Sequence, residues 1–427
     1  MKKVLAIASA VALLVAIACG RAGGLAPAAS IATSLPTWIA AGDSFSIARA
    51  AHAECPRAPV RSACYEKLMV SIADSGKVGL AMGSLNRLGD LDEDVRRDGH
   101  VYAHAIGIAA GKSGGDVASA FTPCTETYQS GCYHGVIQAR LSSMASVGSK
   151  VANALCEPFR SNPSDRWIRF QCVHGMGHGL TTMYEHDLPR ALESCDLLRD
   201  PWDRHSCYGG AFMENVVNVT QPHHPTKALT RTEKTSREHH EHSGIARYKA
   251  IDSTDALYPC SAMASRYLES CYEMQTSVIL YLNKGDIGAA AKTCDTAPLA
   301  MRPVCYRSLG RDISSYSAQN HAEGIRMCSL GTARYQRWCF IGLVKNLIDL
   351  NARPEDGIAL CRKIPGAPEK ATCYMAVGEQ VTVLKTSEDD RRASCRTAEE
   401  EHRPACLYGA GVIREAPAIL VERLDSR

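Results

Sequence analysis

The stretch from Gln171 to Gly179, QCVHGMGHG, decides the fold of this chain. It joins a cysteine to two histidines that stand four residues apart among glycines. The same opening recurs as CYHG at residues 132–135, and without histidine as CYGG at residues 207–210. The recurring cysteine indicates a structural repeat, and the histidines indicate a function added to some of its copies.

The cysteines form a regular series along the chain. There are 19, and 18 of them fall into nine close pairs. Regular pairing is typical of disulfides formed in an oxidising compartment. Spacing alone does not determine connectivity, but each cysteine lies closest to its partner, so we predict nearest-neighbour pairing. The predicted pairs are Cys55 with Cys64, Cys124 with Cys132, Cys156 with Cys172, Cys195 with Cys207, Cys260 with Cys271, Cys294 with Cys305, Cys328 with Cys339, Cys361 with Cys373, and Cys395 with Cys406.

The pairs recur with a period near 34 residues. The second cysteines of the last five pairs lie 34, 34, 34 and 33 residues apart. That period is typical of stacked helical hairpins. Amphipathic segments such as 187–195 and 286–294 begin with aspartate, a good N-cap, and end at a first cysteine. The pattern therefore predicts an all-α fold, an α/α solenoid of helical hairpins cross-linked by about nine disulfides.

A family resemblance rests on the segment from Ala290 to Gly310. It reads Ala-x-x-x-Cys, a loop, and then Cys-Tyr-x-x-Leu-Gly. This pattern resembles the Sel1-like repeats, which are TPR-like, and specifically the cysteine-rich bacterial type with one disulfide per repeat. The resemblance covers roughly residues 50–417. It implies the α/α solenoid architecture and an exported setting, and it implies no activity.

Residues 1–19 have the features of an export signal. Lys2 and Lys3 precede an apolar run from Val4 to Ala18, which is shorter than the ~20 residues that cross a bilayer comfortably. Three interpretations of this segment remain. It is a cleaved signal peptide, a lipoprotein signal with lipidation at the unpaired Cys19, or an uncleaved membrane anchor. We expect a periplasmic or cell-surface protein tethered to the membrane. Residues 20–47 are rich in Ala, Gly, Ser and Pro and predict a flexible linker.

The rest of the chain divides into three parts. Residues 48–219 are predicted to form N-terminal helical repeats, and residues 257–427 C-terminal repeats with a cap. The C-terminal repeats are poor in histidine, which favours a scaffold or a surface for a protein partner. Residues 220–256 interrupt the period, and we interpret them as a flexible loop. This loop either binds metal ions loosely through its histidines or is simply solvated. Its histidines are His223, His224, His239, His240 and His242.

The histidines point to a metal site in the N-terminal repeats. Aligned on the helix starts, His104, His134 and His174 occupy one position of three successive first helices. First helices line the concave face of such solenoids, and residues four apart share a helix face, which adds His100 and His178. Glu214 lies near the matching place on the next helix. The candidate metal ligands are His100, His104, His134, His174, His178 and Glu214.

Two interpretations of this constellation stay open. Five imidazoles and a carboxylate suit a dinuclear site, or one divalent transition metal (zinc, copper or iron) with spare groups. Alternatively, they form a polar concave face that contacts a peptide, in an interaction scaffold with neither metal nor catalysis. The sequence does not decide whether the protein is an enzyme.

Several functions are not indicated. The chain has no Cys-x-x-Cys, so neither a thioredoxin-like redox motif nor c-type haem attachment is predicted. It has no phosphate-binding glycine loop, so no nucleotide motif is present. The net charge is only +3, with no basic stripe interleaved with aromatics, and nucleic acid is not a predicted partner.

Overall fold

The structure, a computed structural model, describes residues 31–144, 146–161, 165–220 and 249–420. These residues form α-helices joined by short 3₁₀ turns. Their only β-type pairing is a single bridge between Asp252 and Asp255. The predicted all-α, repeat-like fold is confirmed.

The helices follow one another in short hairpins. In the N-terminal half they are α1 Ile31–Ala41, α2 Ser44–Glu54, α3 Arg61–Asp74, α4 Val78–Leu91, α5 Glu93–Lys112, α6 Val117–Phe121, α7 Gly131–Ser142, α8 Ser149–Leu155, α9 Arg166–Met183, α10 Leu188–Cys195 and α11 Pro201–Thr220. In the C-terminal half they are α12 Leu268–Tyr272, α13 Gln275–Leu282, α14 Ile287–Thr296, α15 Arg302–Tyr316, α16 His321–Cys328, α17 Gln336–Asn351, α18 Pro354–Cys361, α19 Ala367–Leu384, α20 Glu388–Ser394 and α21 Arg403–Gly409.

Most repeats contribute a long first helix and a shorter second helix. The first helices, among them α5, α7, α9 and α11, pack side by side, and α10 lies against both α9 and α11. Second helices begin at the predicted caps. The side chain of Asp187 accepts a hydrogen bond from the backbone N–H of Arg190, and that of Asp286 from Ala289. These caps satisfy backbone donors that a helix N-terminus leaves unpaired.

All nine predicted disulfides are confirmed with the predicted partners. The bonds join Cys55 to Cys64, Cys124 to Cys132, Cys156 to Cys172, Cys195 to Cys207, Cys260 to Cys271, Cys294 to Cys305, Cys328 to Cys339, Cys361 to Cys373, and Cys395 to Cys406. Most of them connect the end of a second helix to the start of the next first helix. Seventeen of these cysteines are buried, and Cys64 is half-buried. Closing loops of 8–16 residues stabilises the fold by about 3 kcal/mol each in the chain-entropy model.

Glycines bring certain first helices into backbone contact. A Cβ placed on Gly177 of α9 would lie well inside 3.0 Å of the Cys207 carbonyl oxygen of α11, and one on Gly210 would meet the His174 carbonyl oxygen in return. No side chain fits at such a contact. The same reciprocal contact recurs in four helix pairs, formed by Gly107 with Gly135, Gly177 with Gly210, Gly310 with Gly342, and Gly378 with Gly409. The first helices therefore pack most closely within these four pairs.

In the predicted linker, residues 20–47, the described part begins at residue 31 and differs from the prediction. Residues 31–41 form α1, and α2 begins at Ser44 behind its N-cap Asp43. Leu35, Trp38 and Ile39 pack against the core, and their spacing of three and four residues is that of one helix face. The small-residue composition of the segment hid this pattern. Cys19 and the five histidines of the insertion lie outside the described residues.

One contact joins sequence-distant repeats. The Gln129 side chain donates a hydrogen bond to Asn346 Oδ1 of α17, and the Tyr128 backbone N–H donates to the Leu350 carbonyl at 3.4 Å. Tyr128, Gln129 and Ser130 all have positive φ, between 53° and 61°, a region that non-glycine residues rarely adopt. The loop before α7 is thus held in place by the C-terminal half.

Among the described residues, no helix is long and apolar enough to span a bilayer.

Candidate metal centre

The structure brings all six predicted ligands together. His100 and His104 lie on α5, His134 on α7, His174 and His178 on α9, and Glu214 on α11. His134 is central: its ring centroid lies 4.9 Å from that of His174, 5.1 Å from that of His178 and 5.6 Å from that of His100. The His104 ring lies 5.5 Å from the His178 ring. The shared register on successive first helices therefore predicts this cluster correctly.

The cluster lies in the interior and not on the exposed concave surface that the sequence led us to expect. The exposed fraction is 4% for His104, 3% for His134, 7% for His174, 1% for His178 and 3% for Glu214. His100 alone is half-buried. The close glycine contacts explain the difference, because first helices packed backbone to backbone leave the imidazoles enclosed between them.

A carboxylate orients His178. Its Nδ1 lies 2.8 Å from Glu214 Oε2. An ionised carboxylate only accepts hydrogen bonds, so Nδ1 carries the hydrogen and the lone pair is on Nε2. Within the described part of the chain this buried Nε2 has no hydrogen-bond partner. A carboxylate that holds one ring nitrogen while the other faces a metal is the usual arrangement around protein metal ligands.

His134 is oriented in the same manner by an amide. Its Nε2 lies 2.9 Å from the Oε1 oxygen of buried Gln171, which precedes Cys172 on α9. The amide oxygen accepts, so Nε2 donates and Nδ1 carries the lone pair. That Nδ1 is buried and has no hydrogen-bond partner in the described ranges. The third imidazole, His174, lies beside the backbone of Ser206 on α11.

Two groups of side chains in the cluster could hold a metal ion. In the first, the ligand atoms of His134, His174 and His178 lie within 4.8 Å of one another, and in the second those of His104, His178 and Glu214 do. Ligands of a tetrahedral zinc ion at 2.0–2.1 Å lie about 3.3 Å apart, so small side-chain movements suffice in either group. His178 belongs to both groups. In the first group Glu214 orients His178, and in the second it is itself a ligand.

Burial keeps the central imidazoles neutral. It is the largest cause that holds the pKa of His134 well below its usual range, and the neighbouring His174, His178, His100 and His104 lower it further. Burial is also the largest cause that lowers the pKa of His174, and the neighbouring His178 and His100 lower it further, while the nearby Ser206 backbone acts in the opposite direction. Neutral imidazole is the form that binds metal, so these two ligands need no deprotonation at neutral pH.

The metal-free protein should lose stability in mild acid. The folded-state pKa values of His134 and His174 lie below the unfolded value of about 6.5, so the unfolded chain binds protons that the folded chain excludes. The stability that these two neutral imidazoles contribute is complete above about pH 6.5. It is lost as the pH falls from there towards their folded-state pKa values. Each imidazole should cost about 1.4 kcal/mol of unfolding free energy per pH unit in that window.

Urea unfolding of chelator-treated protein at pH 7.0, 6.5, 6.0 and 5.5 measures this loss. The matched control is the double variant His134→Gln, His174→Gln, which should show a shallower decline over the same range. Parallel declines in the two proteins would contradict the assignment of the titration to these imidazoles.

Other residues of the site were not predicted from sequence. Gln171 orients His134, and Thr182 Oγ1 lies 3.4 Å from Glu214 Oε1 and accepts a hydrogen bond from Gln138 at 2.9 Å. Thr182 stands four residues after His178, a spacing that would have placed it on the same face. Gln171 stands directly before Cys172, a position that other repeats fill with different residues, such as Gly131 before Cys132 and Ser206 before Cys207.

The aligned positions of the C-terminal repeats carry a different chemistry. Arg307 forms an ion pair with Glu273 at 2.6 Å, and Lys345 pairs with Glu379 at 2.5 Å. Apart from the two groups above, the described residues contain no cluster of three such side chains whose ligand atoms lie within that distance. Within the described part of the chain, the candidate metal groups thus lie in the N-terminal repeats.

The fold and the site together define a class, an all-α helical-repeat protein cross-linked by disulfides around a buried histidine and carboxylate cluster. No family model, curated protein or solved structure matches this chain. The resemblance to Sel1-like repeats stays a prediction about architecture.

Proposed function

We propose that this protein binds a divalent transition-metal ion in the cluster of His134, His174 and His178. The observation that carries the proposal is the convergence of these three buried rings, two of which have a fixed orientation. Gln171 holds the ring of His134 and Glu214 holds that of His178, each from a neighbouring first helix. The ligand atoms of the three rings lie within 4.8 Å of one another. Burying this many imidazoles without a common partner is costly, and an ion at their centre offsets that cost.

The ligand chemistry favours zinc, copper or iron. Neutral imidazole nitrogens suit these metals, whereas calcium and magnesium prefer oxygen ligands. Thiolates do not contribute, because every cysteine in the described residues is in a disulfide. Enclosure by first helices supports a tightly held ion that stabilises the N-terminal repeats or is carried by them.

We also propose that the protein is exported and tethered to the membrane. Nine disulfides are consistent with an oxidising environment. The lysine pair and apolar run at residues 2–18, with Cys19 directly after them, support an N-terminal anchor or lipid attachment. The alternative, an interaction scaffold that uses the same histidines to contact a protein, predicts no metal.

Zinc should stabilise the full-chain protein through this cluster. For chelator-treated protein, adding Zn²⁺ to a thousand times its dissociation constant should raise the unfolding free energy by about 4 kcal/mol. The rise should vanish in the double variant His134→Ala, His174→Ala. Thermal unfolding with and without Zn²⁺ measures both effects.

A matched control removes two histidines outside the cluster, in the double variant His52→Ala, His205→Ala. These side chains are 45% and 43% exposed. This variant should respond to Zn²⁺ as the wild type does. An equal zinc shift in the cluster variant, or no shift in the wild type, would contradict the proposed function and favour the scaffold.

A further inference from the structure

His100 differs from the rest of the cluster in its position. Its ring lies 5.6 Å from the ring of buried His134 and 6.0 Å from that of His104, yet its side chain is half-buried where theirs are enclosed. It belongs to neither of the two groups whose ligand atoms lie within 4.8 Å of one another. His100 therefore contacts both solvent and the cluster without being part of either candidate ligand group.

The orientation of the His100 ring is set by the backbone. Its Nδ1 lies 2.9 Å from the Tyr128 carbonyl oxygen. A carbonyl accepts, so Nδ1 carries the hydrogen and Nε2 is the nitrogen that can bind a cation. The position of that carbonyl is held on two sides, because the Tyr128 hydroxyl donates to the Leu85 carbonyl at 3.2 Å and its N–H to that of Leu350 at 3.4 Å. A fixed tautomer with one nitrogen on a carbonyl is typical of a metal-binding histidine.

A buried metal site needs a route by which a hydrated ion reaches it. From His100 the rings form a series inward, to His134 at 5.6 Å and from there to His174 at 4.9 Å and His178 at 5.1 Å. An ion that exchanges water for one imidazole at a time along this series never has to shed its whole hydration shell at once. Complete loss of hydration is the large cost of moving a charge into a protein interior.

We propose that His100 is the uptake ligand of the site, which binds the incoming divalent cation at the surface and passes it to His134. This inference rests on the proposed function, because it requires that the inner cluster holds a metal. An uptake ligand that does not coordinate the ion in its final site lowers the free-energy barrier to metal binding and to metal release alike. It therefore changes the rates of binding and release and leaves the affinity unchanged.

Stopped-flow absorption with Co²⁺ tests the proposal on the full-chain, disulfide-bonded protein after chelator treatment. The variant His100→Asn removes the imidazole and keeps a donor near the position of Nδ1, so the contact with Tyr128 is retained. Association and dissociation rates should both fall about tenfold, equivalent to about 1.4 kcal/mol of barrier, with the dissociation constant within about threefold of wild type. His100→Gln serves as a second variant if the first folds poorly by circular dichroism.

The matched control is His205→Asn. His205 is half-buried and stands two residues before Cys207 of α11, as His100 stands two residues before Tyr102 of α5, and it is not in the cluster. The His205→Asn variant should bind and release Co²⁺ at the same rates as the wild type. Unchanged rates in the His100 variants would overturn the inference, and so would a weaker affinity with an unchanged association rate, which marks a resident ligand. Absence of Co²⁺ binding by the wild type would instead overturn the proposed function itself.

Discussion

Replacing Gly177 by alanine should destabilise the protein by about 3 kcal/mol or more, although alanine is the better helix former by about 1 kcal/mol. The added methyl would lie well inside 3.0 Å of the Cys207 carbonyl oxygen, which belongs to the backbone of α11. No rotamer relieves such a contact, so α9 and α11 must move apart. Urea unfolding of the oxidised protein measures the loss.

The same movement should weaken metal binding, because Gly177 lies between two of the ligands on α9. Separating α9 from α11 breaks the 2.8 Å contact of His178 with Glu214. Gly310→Ala provides the comparison: its methyl meets the Cys339 carbonyl oxygen in a C-terminal helix pair. It should cost similar stability and leave Zn²⁺ affinity unchanged.

Gly83→Ala is the control for helix propensity. This glycine lies inside α4, and a Cβ there would meet only Ser44, with a nearest distance of 3.7 Å, which is ordinary van der Waals contact. Alanine should therefore stabilise the protein by about 0.5–1 kcal/mol. If Gly177→Ala stabilised the protein as Gly83→Ala does, close packing through paired glycines would be the wrong account of this fold.

Removing His178 should have the largest effect on metal binding. It is the one side chain common to both candidate ligand groups, so His178→Ala disables either arrangement. Loss of an orienting group typically weakens metal binding 10–100-fold, and loss of the ligand itself should exceed about 100-fold. Competition with a chromophoric zinc chelator measures the dissociation constants.

Glu214→Gln separates the two arrangements. If Glu214 orients His178, the amide oxygen can still accept the Nδ1 hydrogen, and affinity should fall only within the roughly 10–100-fold range of an orienting group. A fall as large as that of His178→Ala would instead assign the ion to the group of His104, His178 and Glu214. His205→Ala should change nothing. Zinc affinity of His178→Ala within about threefold of wild type would refute the site.

Much of the fold was predictable because its rules are local. The 34-residue period and the cysteine pairs reflect contacts between neighbouring hairpins, as at Cys294 and Cys305, which lie close in sequence. The clustering of the histidines follows from the same repeat. Once His134 and His174 stand at one position of successive first helices, their side chains must be neighbours.

What the sequence did not predict depends on contacts between backbones or between distant repeats. The burial of the site follows from reciprocal pairs such as Gly177 and Gly210, and a single glycine does not reveal which backbone it faces. The hydrogen bond from Gln129 to Asn346 spans 217 residues and has no periodic signal. The orienting role of Gln171 likewise depends on the distance between α7 and α9, which the repeat pattern leaves open.

The central claim is that the buried cluster holds a metal ion in the native protein. Elemental analysis of tag-free, full-chain protein, isolated from an oxidising compartment without chelator, tests it most directly. We predict about one zinc, copper or iron ion per chain in the wild type and a substoichiometric amount in the double variant His134→Ala, His174→Ala. A wild-type protein that is fully folded, has its disulfides formed and contains no metal would contradict the account.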